Sequence, residues 1–164
     1  MHFLIEQDLD GALEDVETAF FDPAFLAGLA AVPNLAAPQL LSQERTDGVI
    51  HQRVRYRFTG ELNRAVSRAV DRDRLTWIED STFRRPLHRT DWTVLPDHYA
   101  DRLSCSGSFE LSPAGSRTHR VADGELTVHV PLVGGRVERA IVSGLREHAR
   151  AECELMSSWL AARS

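Results

Sequence analysis

From Arg136 to Ala162 the chain runs proline-free through a helix-period pattern, and the rest of the fold must give that helix a surface to cover. At about 100° per residue, Val137, Ile141, Gly144, Leu145, Leu155, Met156 and Trp159 fall on one side. Arg139, Arg146, Arg150 and Ser157 fall on the other. The helix is entered abruptly. Residues 129–141 read HVPLVGGRVERAI, a strand-like run that meets Gly134-Gly135 and turns at once. His148 and Glu152 interrupt the apolar stripe near its centre, four residues apart and therefore neighbours. Burying either without a partner is costly, so they are expected to satisfy each other or to meet a cavity. Gly144, one turn earlier, is expected to leave space in the same interface.

The surface offered to this helix is β. The segment FLIEQDL reads as an opening strand. Asp10 is predicted to cap a helix carrying Leu13, Val16, Ala19 and Phe20, with Glu14, Asp15 and Glu17 at the positive end of its dipole. Asp22-Pro23 starts a second short helix with Phe25, Leu26 and Leu29, which Pro33 closes. Asp47-Gly48 is a hairpin signal between QLLSQERT and GVIHQRVRYRF. The second of these alternates: Ile50, Gln52, Val54, Tyr56 and Phe58 share one face, and His51, Arg53, Arg55 and Arg57 the other. Residues 61–71 read as a short helix. Strands are predicted over 74–84, 87–95, 101–111 and 117–131, with Asp123-Gly124 as a bulge or kink in the last. The order β-α-α, six strands and a long helix gives an antiparallel sheet with segregated helices, an α+β fold.

Composition excludes several chemistries. All 19 basic residues are arginine, so neither a Schiff-base lysine nor a P-loop lysine exists. The net charge is −5, and the densest basic run, Arg84 to Arg89, lacks interleaved aromatics, which argues against nucleic acid. No stretch approaches the ~20 apolar residues of a membrane span, so no stable membrane insertion is expected. No basic region precedes an apolar one at the start, and the chain is read as cytoplasmic. Cys105 and Cys153 stand far apart in no paired motif and are expected to stay reduced. Oligomeric state is left open.

The opening strand, the two short helices around Asp22-Pro23, the run of strands, and VPLVGGRVERAI feeding a helix that ends in SSWL together resemble the START-like, helix-grip (SRPBCC) superfamily. VRYRFTGELNRAV followed by LTWIED looks like an uncharacterised bacterial branch, a domain-of-unknown-function family. The resemblance covers nearly all of residues 1–164 and implies one ligand-binding domain: a curved seven-stranded antiparallel sheet around the long C-terminal helix, with a cavity between them. It implies a hydrophobic small-molecule ligand (lipid, polyketide or isoprenoid-like). No cofactor is implied, and the metal-cluster ligands of Rieske-oxygenase members are not recognisable.

With that fold, alternation sends Gln52, Tyr56, Trp77, Glu79, His88, Trp92 and Phe109 inward, opposite Ile141, Gly144, Leu145, His148 and Glu152. Both sides of the strands around Trp77 and Trp92 carry apolar residues, so their facing is open. As a cyclase- or dehydratase-type enzyme, the chain would use His148 as general base oriented by Glu152, with Glu79 or His88 as acid. A metal on His148, Glu152 and His88 matches no recognised spacing, and no metal is expected. A third alternative has a vestigial cavity and an Arg53, Arg55 and Arg57 face that meets a protein partner. The remaining histidines, His2, His51, His98, His119 and His129, are expected at the surface.

Overall fold

The computed structural model describes residues 1–68 and 70–164. Strand β1 (His2–Leu9) leads to helices α1 (Leu13–Phe20) and α2 (Pro23–Gly28). Strands β2 (Gln39–Thr46) and β3 (Val49–Arg57) follow, then a short helix α3 (Arg64–Ser67). Strands β4 (Thr76–Arg84), β5 (Arg89–Pro96), β6 (Leu103–Ala114) and β7 (Arg117–Val128) precede the long helix α4 (Gly134–Ala161). The seven strands form one antiparallel sheet in the order β1-β7-β6-β5-β4-β3-β2. The α+β helix-grip architecture expected from the sequence is therefore present. The expected helix over 61–71 is shorter, and Ala69 lies outside the described residues.

Local chemistry sets the turns. Asp47 (φ 45°) and Gly48 (φ 78°) are both left-handed, the two-residue turn that matches strand twist. Asp22 Oδ1 accepts the Ala24 N–H at 2.8 Å, with Pro23 in the first turn of α2. Asp10 does not cap α1. The residue before that helix is Ala12, and the Asp10 carboxylate instead meets Arg117 Nε at 2.7 Å and the Ser157 hydroxyl at 3.1 Å. At the entry to α4 the left-handed residue is Leu132 (φ 69°), not a glycine. Gly134 is needed for a different reason: a Cβ there would lie 2.5 Å from the Val128 carbonyl oxygen. Glu138 Oε1 accepts the Val128 N–H at 2.9 Å and ties the first turn of the helix to the end of β7.

The inward face is laid out in cross-strand rows. Gln52, Ser81, Trp92, Gly107, Gly124 and Phe3 stand in register from β3 to β1. Val54, Glu79, Val94, Cys105 and Leu126 form the next row, and Tyr56 and Trp77 the one beyond. Trp77 and Trp92 therefore both point inward, and Phe3 stacks on Trp92 with ring centroids 6.3 Å apart. Asp123-Gly124 is not a bulge, because pairing runs unbroken through it on both sides. Glycine stands there to seat an aromatic ring: a Cβ on Gly124 would run into Phe3 Cζ. The irregularity in the sheet falls instead between Leu40 and Ser42 on edge strand β2.

Gly124→Ala is expected to lower stability by about 1–3 kcal/mol, since the buried Phe3 ring must give way. Urea unfolding checks it. Pairing the change with Phe3→Leu should cost less than the two single changes summed; strict additivity would show that the ring is not what the glycine accommodates.

Helix α4 rests on β1, β7, α1 and α2. Its buried line is Val142, Ala149 and Met156, with Val137. That line lies about a quarter turn from the centre of the stripe read in the sequence. Ile141, Leu145, His148, Glu152, Leu155 and Trp159 are consequently only half-buried. Gly144 is exposed with open space where its Cβ would be, so it does not loosen the packed interface. One flank of the stripe grips the sheet. Its middle is left beside the concave face.

Candidate functional site

The concave face carries a group of ionisable side chains supplied by five elements. On β7 the alternation Thr118, Arg120, Ala122, Gly124, Leu126 points inward, and Arg120 is the charged exception. Its register partner on β1 is Gln7. Gln7 Oε1 accepts from Arg120 Nε at 2.8 Å and also from Nη2. The Gln7 amide donates to the Ala149 carbonyl and to Cys153 Sγ, fastening β1 to α4. Arg120 Nη2 donates to Glu152 Oε2 at 2.6 Å, with the two side chains 7% and 12% exposed. The guanidinium also lies over the Phe20 and Phe109 rings, 5.1 and 5.7 Å from their centroids.

Glu152 is thus held by Arg120, and the hydrogen bond expected between it and His148 does not form. Burial alone would raise the Glu152 carboxyl, but the charges of Arg120 and His148 outweigh it and hold the group below its ordinary value. Among the described residues, His148 Nδ1 is buried without a hydrogen-bond partner. The two residues are close enough to interact electrostatically, and no hydrogen bond between them orients the imidazole.

Glu79, on β4, has the opposite character. Its carboxyl is pushed up to about 7 by burial and by the Glu152 charge, against the pull of Arg120. No hydrogen bond or ion pair holds it among the described residues. Its register neighbours on the strands at either side, Val54 and Val94, are apolar. It lies deep among protein atoms yet keeps accessible surface, as expected of a group lining a recess. Tyr56 shares this setting: burial, then Glu79 and Glu152, raise its hydroxyl well above the usual value, and its ring stacks on Trp77 at 5.7 Å. Cys105, in the Glu79 row, is pushed up to about 11 by burial and by Glu79. Two open depressions of about 580 and 680 Å³ lie elsewhere, one on the outer face around Ser106 and Ser108 and one beside Glu61, Leu62, Arg68 and Asp71.

Of the residues expected at the site, Tyr56, Trp77, Glu79, Trp92, Ile141, Leu145, His148 and Glu152 come to the concave side, half-buried. Phe109 also points inward but packs on Phe20 of α1, with centroids 5.9 Å apart. Gln52 is buried and accepts from Gln43 of β2 at 2.6 Å. His88 does not belong to the group. A 3-10 turn over Arg85–Leu87 breaks the strand there, and His88 takes a left-handed conformation (φ 49°). Its Nδ1 lies 2.5 Å from Glu17 Oε1, a carboxylate 1% exposed on α1, with Arg85 at 3.5 Å. Glu17 is therefore not a solvent-facing companion of the helix dipole. The positions 13, 16, 17 and 20 form one helical stripe, which was the available signal. For Arg120 and Gln7 the signal was alternation itself, a long polar side chain at an inward position.

The three arginines on the outer face of β3 are matched by carboxylates: Arg53 with Asp80, Arg55 with Asp97 and Arg57 with Asp73, at 3.2, 3.0 and 3.9 Å. His2, His51 and His119 sit with Asp123, Asp80 and Asp8 near the surface. Among the described residues no group of three or more His, Cys, Asp or Glu side chains is placed to hold a metal ion, and no helix is long and apolar enough to cross a membrane.

Residues 5–160 match the model of the family described as "Protein of unknown function (DUF2505)". The chain belongs to this family. No curated protein matches. Solved structures similar to this DUF2505 member include TTHA0849 from Thermus thermophilus, at TM-score 0.72 and 14% identity, covering 100% of this chain and 99% of that one. An aromatase/cyclase from Streptomyces is similar at TM-score 0.69 and 15% identity, covering 99% and 94%. A norcoclaurine synthase point mutant from Thalictrum flavum, in complex with a transition-state analogue, is similar at TM-score 0.62 and 16% identity, covering 100% and 96%. The DUF2505 chain therefore has the START-like, helix-grip fold.

Proposed function

We propose that the protein binds a hydrophobic small molecule between the concave sheet and the half-buried flank of α4. The observation that carries this reading is the incomplete burial of inward aromatic and apolar side chains, Tyr56, Trp77, Trp92, Leu145, Leu155 and Trp159. Ordinary core residues would be sealed; we read these as the walls of a recess into which a small set of polar side chains converges, the composition of a small-molecule site. The fold shared with an aromatase/cyclase, and with a norcoclaurine synthase solved in complex with a transition-state analogue, supports a small-molecule ligand.

Native mass spectrometry of the purified protein is expected to show a retained apolar molecule, or loading of an added one with a shift in Trp77 and Trp92 emission. Repeated failure of both would overturn the reading.

A second reading, an acid/base enzyme, is favoured by the Glu79 carboxyl titrating at about 7, where it can both give and take a proton near neutrality. In this reading Glu79 rather than His148 exchanges the proton, because Glu152 is committed to Arg120. Glu79→Gln would then abolish turnover, while His148→Gln would leave most of it.

A further inference from the structure

The recess has an unbalanced charge. Among the groups facing it, Tyr56 from β3 and Cys105 from β6 are held protonated by burial. Arg120 from β7 is the fixed cation, and it is already taken by Glu152 and Gln7. Among the described residues, that leaves Glu79 from β4 as a carboxyl without a cation of its own, and His148 from α4 as the other titratable neighbour, its Nδ1 unpartnered.

The consequence for a ligand follows from desolvation. A neutral apolar molecule entering the recess displaces whatever water solvates Glu79 and gives nothing back, so it binds only the protonated carboxyl. A carboxylate ligand meets two like charges, Glu79 and Glu152, and one guanidinium that is already paired. A protonated amine does the reverse: it supplies the missing cation. The stacked Tyr56–Trp77 rings, whose tryptophan lies two residues from Glu79 on the same face of β4, offer a π surface beside it.

We infer that the ligand of this site is a hydrophobic body bearing a basic amine, with Glu79 as the counter-ion that selects it. The inference rests on the ligand-binding reading above and adds the chemical class.

Three probes sharing one aromatic body separate the two claims: naphthylethylamine, naphthylethanol and naphthylacetate, titrated calorimetrically against the full chain at pH 8. The amine is expected to bind at least about tenfold more tightly than the alcohol, with the carboxylate weakest. Its affinity should fall about tenfold from pH 8 to pH 6, as the Glu79 carboxyl takes up a proton in competition with it. Glu79→Gln should weaken the amine, tighten the alcohol about tenfold at pH 8 because the amide stands in for the protonated carboxyl, bring the two to similar affinity and remove the pH dependence. An alcohol that matches the amine in the unmodified protein would overturn the inference and leave the hydrophobic cavity standing. So would a pH dependence that survives Glu79→Gln and disappears in His148→Gln. Failure of all three probes to bind would overturn the inference together with the cavity.

Discussion

Glu79→Gln is expected to raise folding stability at pH 8 by about 3 kcal/mol while changing it by only a few tenths of a kcal/mol at pH 4.5. The Glu79 carboxyl is raised from 4.5 to about 7 in the folded protein. Between those values the native state keeps a proton that the unfolded chain has released. The associated stability is fully present below the unfolded value and is lost as pH rises through 7. Glutamine imitates the protonated carboxyl at every pH, so the variant escapes that loss. For a domain of this size the difference corresponds to a melting temperature about 6–12 °C higher at pH 8. Thermal unfolding of both proteins across pH 4.5–8 reads it directly. Parallel curves would mean that Glu79 is fully solvated and that the recess does not desolvate it. A carboxyl that weakens the fold when ionised, with no partner to offset the cost, is what a binding site retains and a packed core discards.

How much of this was legible in the sequence differs by element. The strand faces were readable because period-2 alternation on β3 sets Gln52, Val54 and Tyr56 against Arg53, Arg55 and Arg57, and one register fixes all of them. Asp22-Pro23 and Asp47-Gly48 specify their turns through backbone chemistry alone. The facing of Trp77 and Trp92 was open until pairing with Tyr56 and Gly107 settled it, because both sides of those strands carry apolar residues. Alternation reached His88 because the strand was read from residue 87, whereas a 3-10 turn occupies Arg85–Leu87, His88 caps it and pairing starts at Arg89. The rotation of α4 was hidden for a geometric reason: a stripe wider than its contact does not say which flank rests on the sheet. The partner of Glu152 was hidden because the pair joins segments 32 residues apart. A neighbour at i−4 such as His148 is the only companion that helical spacing displays.

The hidden partner matters most for Arg120→Met, which is expected to lower stability at pH 8 by about 3–5 kcal/mol, the cost of leaving a buried charge without its counter-ion. The guanidinium compensates Glu152 and also satisfies Gln7 Oε1, so its loss strands one charged acceptor and one neutral acceptor. Methionine keeps much of the aliphatic volume against Phe20 and Phe109, which separates the charge effect from a packing defect. Adding Glu152→Gln should restore most of the loss, because a neutral amide in that position needs no cation. The deficit should also shrink at pH 5. Without Arg120, burial raises the Glu152 carboxyl instead of being outweighed, and protonation then relieves the buried charge. Urea unfolding of the two single variants and the double at both pH values tests this as a cycle. Equal losses at pH 5 and pH 8, with no recovery in the double variant, would show that Arg120 acts through packing alone. Recovery with a pH-dependent deficit would identify Arg120 as the charge that keeps Glu152 ionised and leaves Glu79 as the carboxyl open to a ligand.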